Sequence, residues 1–384
     1  MKGHIVKRSE KTYSVVVELS RDPLTGKRKQ KWFTVKGNKK EAERFLAKKI
    51  TDLEENTYVS ETNDTFGQYL EQWLDDYVKD NLRPRTAESY EQLARNHIIP
   101  ILGKIKLQKL LPNHLSKFYT DRLRNGRMDG NGGLSPRTVR YLHSIIREAL
   151  NHAVKLQIVN RNVAEAVNPP KNKTSQFHAW THEEARKFLD SVKDERLYAL
   201  YVLALTTGMR RGELLGLCWK DIAFDKRILQ VRRALVRANH ELILQEPKTA
   251  KGRRSIPISE MACAALKARL KEQELEKKLT DYQEQGFVFT NESGGPLDPH
   301  ALTKQFKRYS KKAGLPEIRF HDLRHTHASL LLEQGIHPKA VSERLGHSQI
   351  SITLDTYTHV IPSLQEQATD QFDKLIFGDE NGQK

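Results

Sequence analysis

The amino-acid sequence predicts a multidomain, mainly α protein. It should hold a small α/β module at the N-terminus, an all-helical block, and a mainly helical C-terminal domain with a small antiparallel sheet. Three observations predict this. A chain of 384 residues exceeds one ordinary core, so two or three domains are expected. Apolar residues recur at helical spacing along most of the chain and alternate like strands mainly in two regions, near 13–35 and 227–258. The polar stretch 56–63 and the Pro-rich, basic stretch 168–178 have linker composition. Domains are therefore expected at 1–57, 64–165 and 175–378.

The first 50 residues hold 15 Lys/Arg against 5 Asp/Glu, a local net charge of +10. The run from Tyr13 to Leu19 reads as a strand, Asp22-Pro-Leu-Thr-Gly26 as a turn, and Lys31-Trp-Phe-Thr-Val35 as a second strand. Ala42, Phe45, Leu46, Ile50 and Leu53 then repeat at helical spacing over 39–55. A basic sheet backed by one helix can lie against a DNA groove, with Lys29 and Lys31 as candidate contacts. A solubilising appendage with a charged face is the plainer alternative.

From Thr65 a helical series begins, with Phe66, Tyr69, Leu70, Trp73, Leu74 and Tyr77 in register. Arg83-Pro-Arg-Thr86 opens another helix, and Ser135-Pro-Arg-Thr138 opens one running to about Leu156. Between them 126–133 is glycine-rich and reads as a loop. Arg83, Arg85 and Arg137 are candidate phosphate contacts, because helix N-termini offer free amides beside these side chains. Ordinary helix capping accounts for the same residues. The third domain should start near Trp180. Within it Ile228–Val236, Glu241–Gln245 and Arg254–Ile258 alternate like three antiparallel strands, and 263–279 reads as a long charged helix.

The net charge of +17 and a pI near 9.6 point to a polyanionic partner. The two cysteines, Cys218 and Cys263, sit inside apolar periodic runs. They read as small buried hydrophobes rather than a disulfide framework or a metal site. No apolar run reaches membrane-spanning length and Met1-Lys2-Gly3-His4 lacks an apolar signal core, so a cytoplasmic protein is expected, with no membrane partner.

The chemistry concentrates in a few short motifs. Thr207-Gly-Met-Arg210-Arg-Gly-Glu213 supplies arginines and a carboxylate, and Pro247-Lys248-Thr249 supplies a lysine. His321-Asp-Leu-Arg324 and Leu345-Gly-His347 follow, and Tyr357 lies ten residues beyond His347. Guanidinium forks match phosphate oxygens, imidazole titrates near neutrality, and a phenol can attack phosphorus. Arg211 rivals Arg210, and Lys251 rivals Lys248. Glu213 can brace an arginine or a histidine, or form a plain surface ion pair. His321 and His325 have the one-face spacing of metal ligands. No glutamate lies between them as in zinc hydrolases, and Arg324 already supplies charge, so no metal is expected. His325 and His327 read as structural or DNA-proximal, and His359 as supporting.

This ordered set resembles the tyrosine recombinase (phage integrase) family over roughly residue 65 to the end. The resemblance implies that Arg210 and Arg324 bind the scissile phosphate, that Lys248 is the general acid, and that His321 and His347 assist. Tyr357 would be the nucleophile, with Glu213 a supporting carboxylate. The N-terminal block resembles the arm-binding modules of lambda-type integrases, and 64–165 resembles the core-binding domain. The family implies a homotetramer on double-stranded DNA at core and arm sites, with DNA-bending and excision accessory proteins. It implies a 3′-phosphotyrosine intermediate and integration or excision of a phage or conjugative element in a bacterial host. No cofactor is expected, since a phosphotyrosyl bond conserves the energy needed for resealing. A DNA-relaxing type IB topoisomerase and a catalytically idle DNA-binding regulator are the alternatives. The arm-like module and compact motif spacing argue against the first, and the intact residue set against the second.

Overall fold

The computed structural model describes residues 3–18, 30–54, 62–171, 178–247, 250–279 and 281–357, with 369, 372–373 and 375–376. The expected turn Asp22–Gly26, together with Lys29, Lys248 and His359, lies outside the described residues. The chain divides into two compact units, Met1–Thr174 and Ser175–Lys384.

The first unit contains two separate cores. In the first, β1 (Gly3–Ser9), β2 (Thr12–Glu18) and β3 (Gln30–Lys36) form an antiparallel sheet in that order, and α1 (Lys39–Glu54) covers one face. The two expected strands are β2 and β3, and β1, which the sequence reading missed, joins them. Val15, opposite Ile5 and Phe33, has its side chain wholly buried with Val17 and Ala42. Phe45, Leu46 and Ile50 of α1 pack on them, so the helical period of α1 meets the two-residue period of the strands.

The second core is helical. Its elements are α2 (Phe66–Trp73), α3 (Lys79–Asn81), α4 (Pro84–Leu93), α5 (Ile99–Leu102), α6 (Pro112–Asn125) and α7 (Pro136–Lys155). Thr65 and Gln68 cap α2 reciprocally, with backbone-to-side-chain bonds of 2.9 and 3.2 Å. Ser135 caps α7 by accepting from the Thr138 amide at 3.1 Å. The stretches Leu74–Val78 and Ala94–Ile98 are π-helical and join α2 to α3 and α4 to α5. Such widened turns displace the side chains that follow, and here Val78 and Ile98 remain fully buried. Trp73, Phe66, Leu70 and Phe118 are among the largest side chains in this core.

The second unit runs α8 (His182–Ser191), α9 (Tyr198–Thr207), α10 (Arg211–Leu215), β4 (Ile222–Ala223), β5 (Ile228–Val231), β6 (Ala234–Ala238), β7 (Glu241–Gln245), β8 (Arg254–Pro257), α11 (Glu260–Leu279), α12 (Pro299–Lys312), α13 (Asp322–Glu333), α14 (Pro338–Leu345) and α15 (Ile350–Thr356). Helix α9 is apolar around most of its circumference and is buried from Ala199 to Leu205. Tyr201 of this helix joins Trp180, Phe188 and Phe306 in an aromatic cluster, with ring centroids 5.1–6.2 Å apart.

The sheet differs from the expected three strands. The run 228–236 breaks at Arg232–Arg233 and serves two sheets: β5 pairs with β4 and β8, while β6 pairs with β7. At the break Arg233 leaves the strand pattern to reach Asp221, a carboxylate 3% exposed, at 3.3 Å. A buried charge needs a partner, and that requirement overrides the alternation of apolar residues. Among the described residues no helix is long and apolar enough to cross a membrane.

Phe118 is 2% exposed in the helical core. Phe118→Ala should destabilise the helical block by about 3–5 kcal/mol. In calorimetry its transition should move down while the transition of residues 175–384 stays in place.

Candidate active site

The described motif residues meet near the C-terminus of α14. Helix α9 ends at Gly208 and α14 at Gly346, both left-handed, with φ of +63° and +70°. A Cβ at Gly208 would lie 2.6 Å from His327 Cδ2, so side chain and backbone conformation both demand glycine there. These two turns expose the last carbonyls of α9 and α14. Arg324 donates to Gly208 O and to Leu345 O, each at 2.8 Å. Arg254 donates from Nε to Arg344 O at 2.7 Å, and Arg210 donates to Gly346 O at 3.3 Å. Successive carbonyls at one helix end thus each receive a different arginine. The negative end of a helix dipole favours cations at that place.

Glu213 binds two of these arginines. It is 3% exposed, receives a forked pair of bonds from Arg254 at 3.2 and 2.9 Å, and receives Arg210 Nη1 at 2.8 Å. It also accepts from the Arg210 amide at 2.9 Å. Burial alone would raise its proton affinity, but Arg254 and then Arg210 hold the carboxyl below its ordinary value. Glu213 is therefore ionised and orients both guanidinium groups. Arg324 is 4% exposed, and burial followed by repulsion from Arg210 lowers its proton affinity to about 9. It remains a cation at neutral pH.

The histidines surround this cationic centre. His321 opens to solvent at the start of α13, yet it stands in densely packed surroundings. Desolvation there, with Arg324, lowers its pKa. His325 lies one turn further, its ring 5.3 Å from that of His321 and nearly perpendicular to it. Its Nδ1 is 2.8 Å from Tyr357 Oη. His347 Nδ1 is 2.7 Å from Thr353 Oγ1, and burial with Arg324 lowers it to about 4. His327 faces the other way, with Nδ1 2.7 Å from Leu205 O and Nε2 accepting from Arg344 Nε at 3.2 Å. Tyr357 follows α15, is 1% exposed, and packs with Ala328, Leu332, Val341 and Leu345. Burial raises its phenol pKa, and Arg324 opposes that rise.

Among the described residues no three His, Cys, Asp or Glu side chains gather as metal ligands. Cys218 and Cys263 are both free and buried. Arg211, the rival of Arg210, turns to α12, donating to Thr303 Oγ1 at 2.6 Å and Pro299 O at 3.2 Å. Lys251, the rival of Lys248, is exposed and donates to Ser348 O at 2.8 Å.

The candidate DNA contacts outside this cluster lie in the first unit. Arg83 precedes α4, and Arg85 is its second residue, paired with Glu88 at 2.6 Å. Arg137 is exposed at the second position of α7. Lys31 pairs with Val17 in the register, on the face that α1 covers, where burial and the Lys49 charge lower its proton affinity. Trp32, 55% exposed, and Arg8, whose guanidinium carbon is 5.9 Å from that ring centroid, belong to the other face.

Residues 179–363 match the model described as phage integrase family, and 65–122 match that of the phage integrase N-terminal SAM-like domain. A protein described as tyrosine recombinase XerC-like, from Caldanaerobacter subterraneus subsp. tengcongensis, is 32% identical and covers 98% of this chain and 99% of its own. The chain belongs to the tyrosine recombinase (phage integrase) family. It is a site-specific DNA recombinase. Its fold is that of the Tn1549 transposon integrase in complex with a circular intermediate DNA. That match has a TM-score of 0.67 and 22% identity, over 80% of this chain and 99% of the other. A lambda integrase tetramer bound to a Holliday junction matches at TM-score 0.55 and 18% identity, over 90% and 95%.

Two residues of this recombinase site were not assigned to it by sequence reasoning. Arg254 looked like an ordinary strand residue, because its partner Glu213 is 41 positions away. His325 looked structural or DNA-proximal, because Tyr357 is 32 positions away. A signal for His325 existed: it lies four residues after His321, on the same helical face.

Removing Arg254 leaves Glu213 buried with one partner fewer. Arg254→Met should destabilise the second unit by about 3–5 kcal/mol, measured by urea unfolding. Arg227→Met, at an exposed ion pair with Glu260, should cost less than about 1 kcal/mol.

Proposed function

We propose that this recombinase cleaves DNA through Tyr357, which attacks a phosphodiester held by Arg210 and Arg324. The observation that carries this reading is the convergence of both arginines on the end of α14, with His321, His347 and Tyr357 beside them. The Tyr357 oxygen bonds to phosphorus and the bond to the 5′ oxygen breaks. Lys248 supplies the proton that oxygen needs, and a 3′-phosphotyrosine remains. His321 and His347 stand beside the arginines to hydrogen-bond the phosphate, and Glu213 keeps Arg210 aimed. A hydroxyl from a second strand reverses the step and completes exchange. Bidentate guanidinium contacts suit the negative charge that builds on the non-bridging oxygens.

The assembly in this reading is a homotetramer on two duplexes, which the family resemblance supports. It acts in the cytoplasm of a bacterial host, integrating or excising a phage or conjugative element with DNA-bending and excision proteins. Residues 64–165 bind the core site, with Arg83, Arg85 and Arg137 on phosphates at helix starts. Residues 1–57 bind separate arm sites, supported by the +10 charge of the first 50 residues and by a sheet with one face left open by α1. Lys29 adds charge to that module, whereas Lys31 stands on its covered face.

Nicked suicide duplexes test the chemistry. Tyr357→Phe should bind core DNA normally and form no covalent adduct in a denaturing gel. Arg210→Ala should form it about 10²–10³-fold more slowly. A normal adduct from Tyr357→Phe would remove Tyr357 from its role.

Footprinting tests the module. A chain lacking residues 1–60 should still form the adduct on a short core duplex. It should lose distal protected segments on the full attachment site, most clearly at moderate salt. Identical footprints for the full and shortened chains would reject a separate arm-binding role.

A further inference from the structure

In the proposed cleavage the proton of the attacking phenol needs an acceptor. Lys248 gives a proton to the leaving oxygen and cannot also receive one in the same step. Of the imidazoles around the arginine cluster, His347 holds Thr353 Oγ1 at 2.7 Å, His327 holds Leu205 O at 2.7 Å, and His321 sets its ring 5.3 Å from that of His325. His325 is the one seated on the reacting atom, with Nδ1 2.8 Å from Tyr357 Oη. A general base must lie within hydrogen-bond reach of the proton it takes, and this one already does.

We propose that His325 is the general base of strand cleavage, its Nδ1 taking the proton of Tyr357 Oη as that oxygen bonds to phosphorus. This rests on Tyr357 being the nucleophile. The balance is complete: the Oη–P bond forms, the P–O5′ bond breaks, the phenol proton moves to Nδ1, and the 5′ oxygen takes a proton from the general acid. In the reverse step the His325 imidazolium returns its proton as the tyrosine oxygen leaves.

The surroundings of His325 make such a base conditional on substrate. His321, Asp322 and Arg324 face it from its own helix, Arg319 from the preceding segment, His347 from the turn after α14, and Tyr357 from beyond α15. Burial, followed by His321 and Arg324, lowers its pKa to about 4, so the free protein holds it neutral and ready to accept. Asp322 opposes that shift only in part, because Arg319 already binds its carboxylate at 2.8 and 3.0 Å. A phosphodiester on Arg324 and Arg210 brings negative charge to the cations that suppress His325. Its basicity therefore rises when DNA is in place, and the nucleophile is deprotonated only where a phosphate awaits it.

The test uses the full chain with nicked suicide DNA. His325→Gln keeps a polar side chain but cannot carry the proton, and His325→Phe keeps the ring packing. Both should bind core DNA as the parent does and form the adduct about 10²–10⁴-fold more slowly. A ring-fluorinated tyrosine at position 357 has a more acidic phenol and needs a base less. It should restore adduct formation in His325→Gln selectively, while changing the parent little. Parent-like cleavage by His325→Gln overturns the proposal. So does an equal effect of fluorination in both proteins, because a packing role would not respond to phenol acidity. An adduct that persists in Tyr357→Phe would instead overturn the nucleophile assignment, so the two failures are distinguishable.

Discussion

The site depends on how a cluster of buried and half-buried cations is held without an equal number of carboxylates. Arg210 and Arg254 share one buried anion, Glu213, and with Arg324 they share one helix end, the carbonyls of Arg344, Leu345 and Gly346. Desolvating a guanidinium costs several kcal/mol unless its hydrogen bonds are replaced. Carbonyls at a helix C-terminus replace them and add the favourable end of the dipole, without adding a full negative charge. Three guanidinium groups against one carboxylate leave two positive charges in the cluster. Asp322, also nearby, is occupied by Arg319. A site built from matched ion pairs would bury the same arginines with nothing left for a phosphate.

The same excess charge governs the imidazoles. His321, His325 and His347 are all depressed first by burial and then by cationic or imidazole neighbours. Their neutrality lowers repulsion within the site and lets ring nitrogens act as acceptors. The sign for stability follows from linkage. A histidine with a depressed folded pKa contributes stability that is present above its unfolded value near 6.5 and is lost as pH falls toward its folded value, here about 4 for His325 and His347. The tyrosine experiences the opposite balance. Burial favours its neutral phenol while Arg324 favours the phenolate, so proton removal is costly until a partner accepts the proton.

Much of this was legible in the sequence where the determinants are local. Thr65 with Gln68, Ser135 before Pro136, and the apolar spacing of Phe66 to Tyr77 each specify a helix start or face within a few residues, and those helices form. The order and spacing of Arg210, His321, Arg324, His347 and Tyr357 carried the family. What the sequence hid is nonlocal. Strand β1 has mixed composition and becomes a strand because β2 offers it an edge. The run 228–236 keeps strand alternation across Arg233, yet the buried carboxylate of Asp221 breaks it. Arg254 and His325 gain meaning only from partners 41 and 32 residues away, which periodicity does not reveal.

The chain uses the two ends of its helices in opposite ways. In the first unit α4 and α7 begin with proline at the first position and an arginine, Arg85 or Arg137, at the second. That arrangement sets basic side chains beside a helix end already positive, suited to anions on an accessible surface. In the second unit α9 and α14 end in left-handed glycines whose neighbouring carbonyls hold cations inward. The first device needs no burial and, in the proposed function, would meet a shifting phosphate backbone. The second fixes guanidinium groups to within a hydrogen bond, which in-line displacement at phosphorus requires. Replacing Gly208 or Gly346 would therefore disturb chemistry before binding, because the backbone turn and the arginine it holds are one construction.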